Sequence, residues 1–350
     1  MNELSRPERV LYSLAAIAIV AGALKAAAGA LVPALLALFI AIVCTDPMYW
    51  MIRQGLPRWL AIILVVIMLL VISSAFPLVI SGSYIEFTQE LPLYQARADL
   101  LLRQAAEWVS HYGYEYDAES LRAVFDPGAA LGYVQVILAA LGGILSRYLL
   151  IMLLVIFILV DVPQKLNSSG TAAGEIIRTV QHYFAIKTFT SMLTGGFIAI
   201  WLLILDIPYP LLWGFLAFLL NFVPNIGSVL AAIPAIILAL LFEGYVSALV
   251  VMIGYIVINV GVSNGLEPRI MGQRLGLRFV WIFVSLIVWG WILGPVGMLL
   301  AVPLTMTLRI ALEKHPSTVW IANILVPENL MKTVGGMPGK QSDEEEKPVS

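Results

Sequence analysis

Hydrophobic positions in this chain come mostly as long uninterrupted runs. They do not alternate with polar ones as in a strand, nor form the one-sided stripe of a soluble helix. Val10 to Leu24 is bracketed by Arg9 and Lys25, a second run lies between Lys25 and Asp46, and Trp59 to Ile85 carries no charge. A helix that crosses a bilayer needs about 20 such residues. Further spans are predicted over 141–160, 188–205 and 246–263, with a short polar link at 161–187 and a polar, basic loop at 264–278. Two other stretches have the wrong length for spans. Between Asp206 and Glu243 lie 36 residues without Asp, Glu, Lys or Arg, and between Arg278 and Arg309 lie 30 more. Two complete spans and a turn need more than about 40. Each stretch is also interrupted by helix-hostile residues, Pro224-Asn225-Ile226-Gly227 in the first and Gly290 followed by Gly294-Pro295-Val296-Gly297 in the second. The pattern predicts two re-entrant hairpins, about 211–242 and 279–308. Irregular backbone at membrane depth is tolerated only where protein buries it or where it lines a cavity, as in secondary transporters.

The pattern changes over 86–133. From Glu86 to Asp126 there are eight acidic and three basic residues, and Leu91, Tyr94, Ala98, Leu101, Leu102, Ala105, Trp108 and Val109 follow helical three-and-four spacing. A second short helix is predicted from Asp117 to before Pro127. This segment reads as a small extracytoplasmic helical insertion between N-terminal membrane helices (1–85) and a membrane core (134–310). The fold class is therefore an all-α polytopic membrane protein with about six full transmembrane helices, two oppositely oriented hairpins and the insertion. A cytoplasmic tail follows (311–350), with a disordered composition from about 335.

Charge sets the orientation. With both termini in the cytoplasm, Arg6, Arg9, Arg53, Arg58, Lys165, Arg178, Lys187, Arg269, Arg274, Arg278, Arg309 and Lys314 all fall inside, and Asp206, Glu243 and the acidic insertion fall outside. Asp206 and Glu243 share a side only if the stretch between them enters and returns. The same holds for Arg278 and Arg309, so the first hairpin opens outward and the second inward. A Trp-Gly pair precedes each break (Trp213-Gly214, Trp289-Gly290), and Ala-Ile/Val-Pro follows each (232–234, 301–303), which suggests an inverted repeat.

Composition agrees: 61% of residues are hydrophobic and 12% charged, with mean hydropathy +0.94, against about 25% charged in a soluble domain. The single cysteine, Cys44, excludes an intrachain disulfide and a Cys cluster, and the three histidines lie outside the apolar runs, so no metal is expected. No nucleotide-binding, metalloprotease or serine-hydrolase motif is present, so the reading is of no enzyme, no catalytic residue and no cofactor, with any driving force supplied by a gradient. No feature points to nucleic acid.

Candidate chemistry lies at the breaks. Pro224 removes a helical donor and frees the Leu220 carbonyl, Asn221 and Asn225 add amides, and Ser228 is placed to cap the helix restarting after Gly227. Those amides either line a solute site or satisfy the broken backbone. At the second break the candidates are Gly294, Pro295, Gly297 and Trp289 with Trp291, whose rings either stack on solute or pack. For coupling or gating the candidates are Asn259, Ser263, Glu267 and Arg269. Glu267 either takes a proton or cation during transport or pairs with Arg269 or Arg274.

Three segments carry a resemblance. Asn221-Phe222-Val223-Pro224-Asn225-Ile226-Gly227-Ser228-Val229-Leu230-Ala231-Ala232-Ile233-Pro234 resembles the signature of the autoinducer-2 exporter family. Leu266-Glu267-Pro268-Arg269-Ile270-Met271-Gly272 with Leu275-Gly276-Leu277, and Trp289-Gly290-Trp291 with Gly294-Pro295-Val296-Gly297 and Val302-Pro303-Leu304, resemble its other two. The resemblance covers roughly 10–330. It implies a bacterial inner-membrane exporter of a small polar signal, autoinducer-2, driven by an ion gradient and assembled as a homo-oligomeric ring, a pentamer. The alternatives are a Na+(Li+)/H+ antiporter and a passive oligomeric pore or scaffold.

Overall fold

The computed structural model describes residues 6–111, 132, 136, 148–161, 172–224, 226–271, 279–314, 318–320 and 322. Every regular element among them is a helix: α1 (Arg6–Ala26), α2 (Ala28–Arg53), α3 (Arg58–His111), α4 (Tyr148–Asp161), α5 (Ala172–Ile204), α6 (Pro210–Leu220), α7 (Ile226–Phe242), α8 (Tyr245–Val260), a π-helical turn (Gly261–Leu266), α9 (Glu267–Met271), α10 (Phe279–Leu293), α11 (Pro295–Leu299) and α12 (Ala301–Glu313). Three of the described helices are long and apolar enough to cross a membrane: Ala28–Arg53, Ala173–Ile204 and Tyr245–Ile270.

Both predicted breaks are where the sequence placed them. In the first, α6 and α7 flank 221–225 and pack on each other. In the second, α10 and α12 flank the short α11, and both pack against it. At 11 residues, α6 is about 16 Å long, half of a hydrocarbon core.

Three expectations are corrected. The polar link at 161–187 and the span at 188–205 are largely one helix, since α5 starts at Ala172. Lys187 is therefore inside a helix and not in a flanking loop. The loop predicted from Asn264 is helical as far as Met271. The chain passes through a π turn in which the Glu267 amide donates to the Val262 carbonyl, five residues back. A wider turn relieves the clash that Pro268 imposes on an ordinary helix. Finally, the third span and the amphipathic helix are not separate, because α3 runs unbroken for 54 residues. The stripe on α3 is correct where described: Tyr94 and Ala98 are buried and Leu91, Leu101 and Leu102 half-buried. The predicted helix at 117–126, the start of the fourth span (141–147) and Asn225 lie outside the described residues.

Two larger packed bodies form among the described residues. One joins the far half of α3 (Phe87, Tyr94) to the end of α5 and to α6, α7 and α8. The other joins α2, the near end of α3 (Ala61, Val65) and α4. Helix α5 touches both bodies and also α12.

Candidate functional site

Helix α5 carries a polar stripe at helical spacing that water does not reach. Lys187, Thr190, Ser191 and Thr194 are 4%, 0%, 0% and 1% exposed. Thr190 donates to the Lys187 carbonyl (3.2 Å) and Thr194 to the Thr190 carbonyl (3.0 Å), so both hydroxyls are held by their own helix. Ser191 and Lys187 reach outward to two of the predicted motifs.

Ser191 Oγ accepts a 2.9 Å hydrogen bond from Nδ2 of Asn221, which is buried at the end of α6. This fixes the first break against α5. The approach is close because α5 and α6 cross at glycines. A Cβ on Gly195 would lie 2.5 Å from the Gly214 carbonyl oxygen, and one on Gly214 would lie 2.6 Å from that of Gly195.

Lys187 Nζ donates to both carboxylate oxygens of Glu267 at 3.0 Å, with side-chain exposures of 5% and 16%. Glu267 thus pairs with Lys187, while Arg269 is exposed on α9; Arg274 lies outside the described residues. Beside the pair, one turn back on α5, the Tyr183 hydroxyl is buried with no hydrogen-bond partner among the described residues, close enough to Glu267 to feel its charge. Of the other predicted gating residues, Asn259 donates to the Tyr255 carbonyl (2.7 Å) and leaves its buried Oδ1 unpartnered among the described residues. Ser263 is half-buried within the π turn. Arg309, on α12, pairs with Glu313 at 3.7 Å.

The breaks themselves are more self-contained than expected. The Leu220 carbonyl freed by Pro224 accepts from the Val223 amide (2.8 Å), and the amides of Ile226 and Gly227 donate to Pro224 and Val223. Gly227 lies directly on the Leu220 carbonyl, where a Cβ would overlap it. Gly297 lies in the same way on the Trp289 carbonyl. Gly294, at φ +69°, turns the chain into Pro295 at the start of α11. Ser228 is half-buried in the first turn of α7. Trp289 donates to Thr305 across the second hairpin (3.1 Å), and the exposed Trp291 takes the Lys25 ammonium over its ring at 4.1 Å. The two breaks meet: Val223, next to Pro224, is buried against Leu286 and Ala301, with Trp289 and Leu299 packed around them.

At the opposite end of the first hairpin, Tyr209 caps α6 in a left-handed conformation (φ 61°). It donates to Glu90 of α3 (2.8 Å), to which Tyr94 also donates. These bonds hold the Glu90 carboxyl below the usual carboxylate range.

The stripe on α5 was missed in the sequence. Its signal was there, since Lys187, Thr190, Ser191 and Thr194 are spaced by three and four. Comparison with known proteins covers the same elements. The profile of the AI-2E family transporters matches residues 14–317. The AI-2 transport protein TqsA of Escherichia coli is 38% identical over 91% of this chain and 95% of its own. A Haemophilus influenzae protein provisionally named as a transport protein is 37% identical over 91% and 96%. Escherichia coli YhhT is 35% identical over 91% and 94%. The matched region contains both breaks, the α5 stripe and the Lys187–Glu267 pair, and the chain belongs to the AI-2E family of transporters.

Proposed function

We propose that this protein exports a small polar signal, autoinducer-2, across the bacterial inner membrane, driven by an ion gradient. The observation that supports this best is the buried polar line on α5, which runs from the Lys187–Glu267 pair to Asn221 at the first break. Polar and charged groups are expensive inside a membrane and mark solute or ion pathways when they occur there. Here they lie along a helix that packs on the broken hairpin, and the hairpin tip rests on the second hairpin. In this reading solute passes the meeting point of the two tips, with Asn221, Asn225 and Ser228 on one side and the backbone of 294–297 on the other. Glu267, neutralised by Lys187, is the coupling group. Both hairpins are re-entrant, the first from outside and the second from inside, and the chain works as a ring of identical copies in which apolar outer faces meet lipid and neighbours. TqsA, named for AI-2 transport, supports the choice of solute.

The test is flux in proteoliposomes with autoinducer-2 and an imposed proton or sodium gradient. Gradient-dependent movement that falls in Asn221→Ala, with insertion and oligomer size intact, is the expected result. Losing a buried amide contact typically costs about 1–3 kcal/mol, a roughly 5- to 150-fold effect. Full activity in Asn221→Ala and Asn225→Ala would remove the tip as the solute site. Sodium–proton exchange without signal flux would instead establish the antiporter.

A further inference from the structure

A crevice of about 210 Å3 lies at the edge of the second packed body, where α2 and α3 face α5 and the second break, and its lining exposes no polar surface. Five side chains of α2 between Leu36 and Cys44 form one wall, and Leu69 of α3, Phe184 of α5 and Leu300 close it. Leu300 sits in the second break, between α11 and α12. Phe184 meets Phe39 of α2 at 5.8 Å between ring centroids and Phe222, in the first break, at 6.4 Å. The crevice is therefore one side chain away from each hairpin tip.

Its depth follows from helix geometry. At 1.5 Å per residue, Cys44 and Leu36 lie about 14 and 26 Å along α2 from Arg53, and Leu69 lies about 16 Å along α3 from Arg58. Measured from these basic residues, the crevice reaches from the middle of a hydrocarbon core of about 30 Å, at Cys44 and Leu69, into its far half, at Leu36. Water finds no hydrogen-bond partner in such a lining. An engineered apolar cavity of about 150 Å3 stays dry and takes benzene. The surroundings are hydrocarbon too: beside the crevice, Leu38 of α2 and Ile67 and Met68 of α3 turn large apolar side chains outward. At the bilayer centre the medium consists of the ends of lipid chains.

We propose that this crevice binds the terminal part of a bilayer lipid acyl chain, which wedges between α2 and the second break. The ligand class is a saturated or unsaturated hydrocarbon tail, with no contact to its headgroup. Such a tail completes the packing on which Leu300 and, through Phe184, Phe222 rest. It is a site distinct from the polar line on α5.

The test reconstitutes the full chain in phosphatidylethanolamine–phosphatidylglycerol vesicles doped with phospholipid that carries a diazirine on its terminal acyl carbon. After illumination, adducts are located by peptide mass spectrometry. Adducts are expected on residues 36–44 and around Leu300, and these are expected to fall at least about fivefold when the diazirine sits beside the ester, since that end lies at the interface about 15 Å away. Cys44→Phe fills the crevice and is expected to remove the same adducts while those on outward Phe197 stay constant. Val43→Phe serves as the second filler if Cys44→Phe does not insert. Marking of Phe197 without marking of 36–44 would overturn the proposal, and is the pattern expected if a neighbouring copy fills the crevice. Unchanged adducts at 36–44 in both filled variants would overturn it equally.

Discussion

Lys187 and Glu267, 80 residues apart, share a bidentate ion pair of 3.0 Å inside the helix packing. Removing two charges from water is expensive, and the pair repays it only while both members are present. Lys187→Met should strand the carboxylate and destabilise the protein by about 3–5 kcal/mol. The double variant Lys187→Met, Glu267→Leu should regain most of that loss, because an apolar pair of similar volume is often neutral. Thermal unfolding in detergent measures both. If Glu267 couples ion to solute, the double variant should also be stable and yet lose gradient-driven flux. A stable double variant with wild-type flux would leave the pair a purely structural one.

Gly227 and Gly297 predict a matched pair of effects. Each lies on a carbonyl of the preceding hairpin arm, Leu220 and Trp289, where a methyl group has no room. Backbone, not a flexible side chain, is the obstacle, so the hairpin must open. Gly227→Ala and Gly297→Ala should each destabilise by at least the 1–3 kcal/mol typical of overpacking. Gly196, on α5, has nothing within 4 Å of its Cβ position, and Gly196→Ala should be neutral or slightly stabilising, as alanine favours a helix. Equal unfolding temperatures for Gly196→Ala and Gly227→Ala would contradict the tip geometry.

Both breaks were legible in the sequence because Pro224, Gly227, Gly294, Pro295 and Gly297 interrupt apolar runs, and local backbone chemistry decides a break. The pairing of Asn221 with Ser191 and of Lys187 with Glu267 was not legible. Lys187 in an apolar pattern reads as the end of a span, since an isolated charge belongs at an interface. Only tertiary structure reveals a carboxylate 80 residues away that lets it stay inside. Gly265 and Pro268 misled in the opposite sense. They signal a loop, yet a π turn carries the helix through them. The continuity of α3 was hidden because its composition changes from apolar to acidic midway, which reflects a change of surroundings and not of backbone.

The contact of Glu90 with Tyr94 and Tyr209 predicts a pH window for the outer end of the first hairpin. The Glu90 carboxyl titrates below its ordinary value of 4.5 because the two hydroxyls donate to it. Burial, with further contributions from Glu90, raises Tyr209 above its ordinary 10.0. A lowered carboxyl contributes stability that is complete above 4.5 and disappears as pH falls through its native value. A raised phenol contributes stability that is complete below 10.0 and disappears as pH rises through its native value. The contact should therefore hold between about pH 4.5 and 10. Wild type should unfold at a higher temperature than Glu90→Gln across that window, by the equivalent of about 1 kcal/mol or less, because the Glu90 carboxylate is exposed. The difference should close at the acid end. A constant difference down to pH 3 would show that the charge on Glu90 is not what Tyr209 recognises.

The arrangement of the first hairpin in the membrane can be read from its two flanking acids. Asp206 and Glu243 are both exposed, and between them α6 is 11 residues and α7 is 17. At 1.5 Å per residue these helices reach about 16 and 26 Å, so the shorter cannot cross a core of about 30 Å. If the first hairpin is re-entrant as proposed, the chain enters along α6, turns at 221–225 and returns along α7, which leaves both acids on one face. In a Cys44→Ala background, single cysteines at Asp206 and Glu243 should react with a membrane-impermeant thiol reagent added to intact spheroplasts. Cysteines at Arg269 and Lys314, which are exposed and follow the positive-inside bias, should react only after the membrane is opened. Reaction of Asp206→Cys and Glu243→Cys from opposite sides would mean that α6 and α7 cross the bilayer in tandem. The packing of Val223 on Ala301 would then have to be explained without two opposed hairpins.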